Sequence, residues 1–155
     1  MVTRVRGAFN DVSCSVFFDA EDPESSRAEL TIQMASIDTR TADRDKHLRS
    51  ADFFDVENHP TMTFTSTRIE EVDDNGFVVM GDLTIKDVTK SLSVPISLLG
   101  VDTDPFGNVR AGFEGSRRLD RREFGITWNT PLGSGGLLVS DRVQLEFELS
   151  FVKDA

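Results

Sequence analysis

The chain has 155 residues, with 17 Lys and Arg against 27 Asp and Glu, so its formal net charge is −10 and its pI is about 4.6. This acidity argues against nucleic acid or an anionic membrane surface as a partner. The length predicts one domain over residues 1–155 that can bury a substantial core. A modest 38% hydrophobic content, with 12 Phe and 11 Gly, fits strands with one wet face better than a helical bundle.

The chain contains no stretch near the roughly 20 apolar residues that a transmembrane helix needs. Its first residues, MVTRVRG, lack the apolar run of a signal peptide, so the chain as written is predicted to be cytoplasmic. A true start upstream of Met1 would instead predict a periplasmic or secreted protein. Cys14 is the single cysteine, which excludes an internal disulfide and leaves the redox compartment open.

Short runs of alternating apolar and polar residues predict about eight evenly spaced strands. The turn pair Asn10-Asp11 separates the first two strands, and Asp73 to Gly76 is a hairpin signal. Pro95 cannot donate a ladder hydrogen bond, so an irregular point is expected there. The predicted strands are Val5 to Phe9, Cys14 to Phe18, Leu30 to Met34, Met62 to Thr67, Phe77 to Ile85, Leu92 to Leu98, Val109 to Phe113, Ile126 to Trp128 and Val143 to Phe151. Such a pattern is typical of an all-β sandwich or barrel.

One segment, Thr41 to Phe54, interrupts the alternation and predicts a single short helix around residues 43–54. Leu48, Ala51 and Phe54 recur at helical spacing and form a narrow apolar stripe. His59 ends the segment, because the residue before a proline is disfavoured in the helical conformation. In an all-β chain, such a helix is either a lid on the core or a rim element beside a pocket.

The same region carries a family resemblance. Residues 36–67, SIDTRTADRDKHLRSADFFDVENHPTMTFTST, are very similar to the signature of the bacterial YceI-like family. VRGAFNDV, GDLTIKDVTKSLSVPISLLG, RAGFEGSRRLDRREFGITWN and GGLLVSDRVQLEFELSFVK resemble further blocks of that family. The resemblance implies an antiparallel, lipocalin-like β-barrel that holds a long apolar ligand, typically a polyisoprenoid.

The chain departs from the family pattern at two points that bear on the fold. Asp87 stands where the family usually has glycine, which predicts a different turn between Ile85 and Val88. Family members usually begin with a strand ahead of the V-R-G block, whereas Met1 lies just before that block. The resemblance therefore implies that the first family strand is missing here or lies upstream. A missing strand would leave a barrel edge unpaired, and such an edge favours a homodimer.

The inward faces of the predicted strands supply the candidate ligand contacts. These apolar residues are expected to line the barrel interior: Leu30, Ile32, Met34, Met62, Phe64, Val79, Leu83, Phe113, Trp128, Leu145 and Phe147. Plain core packing is the alternative for each of them. On the helix, Arg44, His47 and Arg49 are candidate donors to a diphosphate or carboxylate headgroup. The alternative there is that Arg and Asp side chains pair to fix the helix on the barrel rim.

The sequence gives little support for a catalytic function. It has no nucleophile elbow, Gly-rich phosphate loop or paired-cysteine motif, and His47 and His59 lack a zinc-type spacing. We therefore predict a protein that is not an enzyme, has no metal or cofactor, and binds, sequesters or transports a long-chain isoprenoid or fatty lipid. Two alternatives stay open: an interaction module with a solid core, and a hydrolase or isomerase that uses Asp45 and His47.

Overall fold

The computed structural model describes residues 4–19, 21–133 and 135–154. Its strands are β1 (Ala8–Phe9), β2 (Val12–Phe17), β3 (Arg27–Gln33), β4 (Ile37–Asp38), β5 (Thr61–Glu71), β6 (Gly76–Ile85), β7 (Val88–Thr103), β8 (Val109–Asp120) and β9 (Arg142–Val152), and its α-helix is α1 (Ala42–Arg49). Seven strands form one antiparallel sheet in the order β2-β3-β5-β6-β7-β8-β9, while β1 pairs with β4. The large sheet curls into a half-barrel of the lipocalin-like form, which confirms the predicted fold class.

Two irregularities interrupt the ladders of the large sheet. The register of β5 against β6 shifts between Ser66 and Arg68, and that of β7 against β8 shifts between Leu98 and Gly100. Bulges of this kind increase the local twist and bend the bulged strand, which lets an open sheet curl around a core. Within the described residues, β2 and β9 form the two edges of the sheet and do not pair with each other.

The predicted helix was too long at its C-terminal end. Helix α1 stops at Arg49, because Ser50 adopts an extended conformation and donates both its N–H and its hydroxyl to the carbonyl oxygen of His47. The next residues, 51–54, form turns that still place Phe53 and Phe54 against the core. Of the predicted apolar stripe, Leu48 and Phe54 pack against the core, whereas Ala51 is exposed.

The predicted strand at Ile126 to Trp128 was wrong. These residues lie in an irregular segment whose carbonyl oxygens, at Ile126 and Trp128, accept hydrogen bonds of 2.9 Å from Nη1 of Arg121. The guanidinium of Arg121 is buried and takes the place of a neighbouring strand. The first predicted strand is also shorter than expected, since only Ala8 and Phe9 pair.

The turn that contains Asp87, at the position where the family usually has glycine, is tight. Ile85 pairs directly with Val88, so Lys86 and Asp87 form a two-residue hairpin loop. Both have positive φ, 52° and 65°. Two consecutive residues in this conformation match the twist of the flanking strands, and Asp tolerates it better than most side chains. The hairpin is therefore kept without glycine.

The main core fills one end of the half-barrel, next to α1. Its buried members are Ile32, Met34, Phe53, Met62, Leu83, Ile85, Leu119, Phe124 and Ile126. They come from β3, β5, β6 and β8, from Met34 directly after β3, and from the segments that follow α1 and β8. We call this the closed end of the half-barrel, because α1 and the two segments cover the sheet there.

Strands β7 and β8 lie close together where their ladder ends, next to Pro95. Their pairing ends at Ile96 and Gly115, next to Pro95, which confirms the predicted irregular point. A Cβ atom on Gly115 would lie 2.6 Å from both the carbonyl oxygen of Pro95 and Cδ1 of Ile96. A side chain at this position would thus push the two backbones apart.

We predict that Gly115→Ala lowers the free energy of unfolding by about 1–3 kcal/mol, as overpacking does when backbone has to move. The matched control is Gly112→Ala in the same strand, where the nearest atoms to an added Cβ are in Leu99 at 3.8 Å or more. Urea unfolding of both variants measures the difference. Equal midpoints for the two variants would show that β7 and β8 are not closely packed at Pro95.

Candidate functional site

The concave face of the sheet continues beyond the core as an apolar surface with little covering it. Strand pairing aligns Leu98 with Phe113 and Leu149, and the rings of Phe113 and Phe151 meet edge to face with centroids 5.8 Å apart. We call this surface the apolar trough; it consists of Ile96, Leu98, Phe113, Phe147, Leu149 and Phe151, all of them only partly buried. Because β2 and β9 leave the sheet open, the trough faces solvent along one side.

The structure divides the predicted lining residues between the core and the trough. Four are buried in the core, namely Ile32, Met34, Met62 and Leu83, and four more pack against it, namely Leu30, Phe64, Trp128 and Leu145. Val79, Phe113 and Phe147 lie outside that cluster and are only partly buried. Ligand contact by any of the eleven stays a prediction, although the last three have the accessibility that it requires.

Four trough residues were missing from the predicted lining: Ile96, Leu98, Leu149 and Phe151. Leu149 and Phe151 continue the regular alternation of the last strand, so that signal was sufficient to find them. Ile96 and Leu98 likewise continue the alternation of β7 after Pro95.

The alternation also places Arg117 on the concave face, between Gly115 and Leu119. Its Nη1 donates to the carbonyl oxygen of Arg118, while its buried Nε has no partner.

One headgroup candidate, Arg44, has a structural role at the start of α1. Its Nε donates to the hydroxyl of Thr39 at 2.7 Å, and its Nη2 donates to the Thr39 carbonyl oxygen at 2.7 Å. The buried Asp45 carboxylate accepts from both the hydroxyl and the backbone N–H of Thr39. The Thr39 hydroxyl, followed by the backbone N–H and the charges of Arg49 and Arg44, holds the pKa of Asp45 below its usual value. This network supports the alternative that Arg and Asp fix the helix.

The second candidate, His47, lies in an aromatic cluster at the closed end. Its Nε2 lies 2.9 Å from Oδ2 of Asp52, and its ring edge meets Phe53 and Trp128, with centroids 4.9 and 4.6 Å away. Nη1 of Arg121 donates to the backbone carbonyl oxygen of Trp128 and so holds this segment in place. His47 is thus held between an acid and two rings. The third candidate, Arg49, is the last residue of α1 and is partly buried.

The outer face of the sheet carries two shallow polar grooves, of about 430 and 390 Å³. The first is lined by Ser93, Pro95, Ser116, Arg117, Arg118 and Gln144, and the second by Pro95, Ser97, Glu114, Gly115, Ser116, Gln144, Glu146, Phe147 and Glu148. Such lining offers little apolar surface to a hydrocarbon chain. The trough on the concave face is therefore the better candidate site for a lipid.

In the described part of the chain, no group of three or more His, Cys, Asp and Glu residues is arranged to hold a metal ion. None of its helices combines the length and apolar character needed to cross a bilayer.

Comparison with known proteins reveals close relatives in bacteria. A UPF0312 protein of Azotobacter vinelandii is 42% identical over 120 residues, which cover 77% of this chain and 62% of the relative. The matched region thus spans less than two thirds of that longer protein.

Solved structures share the fold over nearly the whole chain. A YCEI protein of Campylobacter jejuni superposes with a TM-score of 0.85 at 28% identity, covering 100% of this chain and 88% of the other. A polyisoprenoid binding domain of Saccharophagus degradans superposes with a TM-score of 0.68 at 14% identity, covering 96% and 85%, which shows a shared fold alone. The model of the YceI-like domain matches residues 1–151. The chain therefore belongs to the YceI-like domain family.

Proposed function

We propose that this chain binds a polyisoprenoid, or a similar long-chain apolar lipid, in the apolar trough and does not transform it. The observation that carries the proposal is that the trough is apolar, contiguous and only partly covered. Leu98, Phe113 and Leu149 are paired across three strands, yet each is only partly buried. A soluble domain rarely leaves such a surface exposed without a binding partner.

The shape of the surface favours a chain-like ligand. The trough follows β8 and β9 from Phe147 to Phe151, a distance of about 13 Å at the usual strand rise. Burying each CH₂ group contributes roughly 0.8 kcal/mol, so ten buried carbons contribute about 8 kcal/mol before the cost of association. Apolar contact is thus the main favourable contribution to the binding free energy. The fold shared with the Saccharophagus degradans domain supports this class of ligand.

The side chains of the catalytic alternative are engaged elsewhere. Asp45 accepts its hydrogen bonds from Thr39, whereas His47 pairs with Asp52 and packs on Trp128. These two residues do not form an acid–base pair facing the trough. Sequestration or carriage of the lipid needs neither of them as a catalyst.

We expect native mass spectrometry of protein purified without detergent to reveal an added mass that matches a prenyl or other long-chain lipid. Organic extraction followed by lipid mass spectrometry identifies the molecule. The interaction-module alternative predicts bare polypeptide at every expression level. That result, together with failure to take up added polyprenol, would overturn the proposal.

We further predict that the double variant Phe113→Ser/Leu149→Ser binds a polyprenol at least tenfold more weakly than the wild type. The two residues form a cross-strand pair in the trough, and each removed apolar contact costs more than the 1.4 kcal/mol that corresponds to a factor of ten. Displacement of a fluorescent fatty acid measures the affinity. The control is Glu114→Ser/Glu148→Ser, the neighbouring cross-strand pair on the outer face, which should bind normally. Equal loss in both variants would place the lipid elsewhere.

A further inference from the structure

The hairpin of β7 and β8 projects beyond the neighbouring strand β6. Gly76, at the start of β6, pairs with Ser97, and the Leu98 N–H still donates to the carbonyl oxygen of Asn75, so the residues of β7 after Leu98 have only β8 as a paired neighbour. On the other side of β8, β9 accompanies the hairpin as far as Val152, which pairs with Arg110. We call residues 98–113 together with 149–152 the arm. It extends the apolar trough away from the closed end.

Large apolar side chains are unusually exposed on the arm. Phe106 at its tip is 87% exposed, and Leu99 and Val101 are 61% and 60% exposed. Val109 and Val152 add to this surface at 38% and 44%. The strand register places Val101 and Val109 on the concave face and Leu99 and Val152 on the outer face, so exposed apolar side chains flank both faces of the arm.

The tip holds Phe106 outward on an ordered loop. Oδ1 of Asp104 accepts hydrogen bonds from the backbone N–H groups of Phe106 and Asn108, and Gly107 has a φ of 83°. Oδ2 of Asp104 accepts from Nε of Arg110 at 2.7 Å, and this guanidinium holds the pKa of Asp104 at about 2. Asp104 and Arg110 thus neutralise each other, and Asp102 leaves the tip with a formal charge of −1. Little conformational entropy has to be lost when the ring enters another medium.

The turn of the β5–β6 hairpin lies at the same end of the strands as the tip of the arm, but its charges differ. Its tip also carries one exposed apolar residue, Val72, at 66%. However, Glu71, Asp73 and Asp74 surround Val72 in the sequence. A tip with three adjacent acids cannot enter a hydrocarbon layer at an acceptable cost, whereas the nearly neutral arm can.

We propose that the arm docks on a lipid surface of zwitterionic headgroups, with Phe106 inserted at the level of the headgroups and acyl chains. The exposed Phe106 ring, the apolar side chains on both faces of the arm and the Asp104–Arg110 pair favour such an interface, where aromatic side chains are stable. The net charge of −10 disfavours an anionic surface. This inference rests on the proposed function, because it gives the lipid of the trough a route that remains apolar between bilayer and protein.

Flotation of the full chain with phosphatidylcholine vesicles tests the proposal. We expect the wild type to float with the vesicles and Phe106→Ser to lower the partition coefficient at least tenfold. The matched control, Val72→Ser, should leave it unchanged. Phosphatidylglycerol vesicles at low salt should bind more weakly. Phe106→Trp should show a blue shift of its added fluorescence on phosphatidylcholine, with quenching by brominated acyl chains.

Three results would overturn the inference: no flotation of the wild type, equal flotation of Phe106→Ser, or a Phe106→Trp signal that vesicles do not change. Light scattering adds another: a dimer that Phe106→Ser dissociates would show that a second copy covers the arm. Polyprenol binding in detergent-free solution, measured on the same variants, separates the two proposals. Normal polyprenol binding without vesicle binding would contradict the docking inference alone. Phe106-dependent vesicle binding without polyprenol binding would contradict only the proposed lipid-binding function.

Discussion

The concave face of the curled sheet has more apolar surface than the described chain can cover, and the other features of the molecule depend on this imbalance. Strand alternation gives each long strand an apolar inner row. At the closed end, α1 and the segments after it cover these rows and build a core around Met34 and Phe124, each only 1% exposed. Beyond the core, the same rows continue through Phe113 and Phe151 with no comparable cover. One pattern thus produces both the stability and the candidate site.

Polar interactions at the closed end hold this cover in place. Asp45, Thr39 and Arg44 bond the start of α1 to the chain that precedes it, and Arg121 binds the carbonyl oxygens of the segment that contains Trp128. Buried charges of this kind are tolerated because every one of them has hydrogen-bond partners. The charged residues at the start of α1 therefore hold the helix against the preceding chain at the closed end. Headgroup contact by His47 and Arg49 stays a prediction, whereas Nε and Nη2 of Arg44 are engaged with Thr39.

The sequence was most informative where a single periodicity decides the outcome. Alternation identified the long strands, and the family resemblance supplied the curled topology that alternation alone left open. It could not distinguish core from trough, because Met62 and Phe113 occupy equivalent positions in the pattern. That distinction depends on which rows α1 happens to cover. The irregular segment at Ile126 was missed for a related reason, since a buried arginine, rather than a neighbouring strand, satisfies its carbonyl groups.

The two ends of the half-barrel make different demands on the chain. The closed end needs fixed packing, so it uses buried side chains and satisfied charges. The far end must keep apolar side chains accessible, and Asp104 and Arg110 achieve this with Phe106 by ordering the loop without covering the ring. Strand β8 belongs to both ends, with Leu119 in the core and Phe113 in the trough. A lipid that left a bilayer along the arm would therefore meet a continuous apolar row that stops where the core begins, and the position of α1 would set the length of chain that the trough can hold.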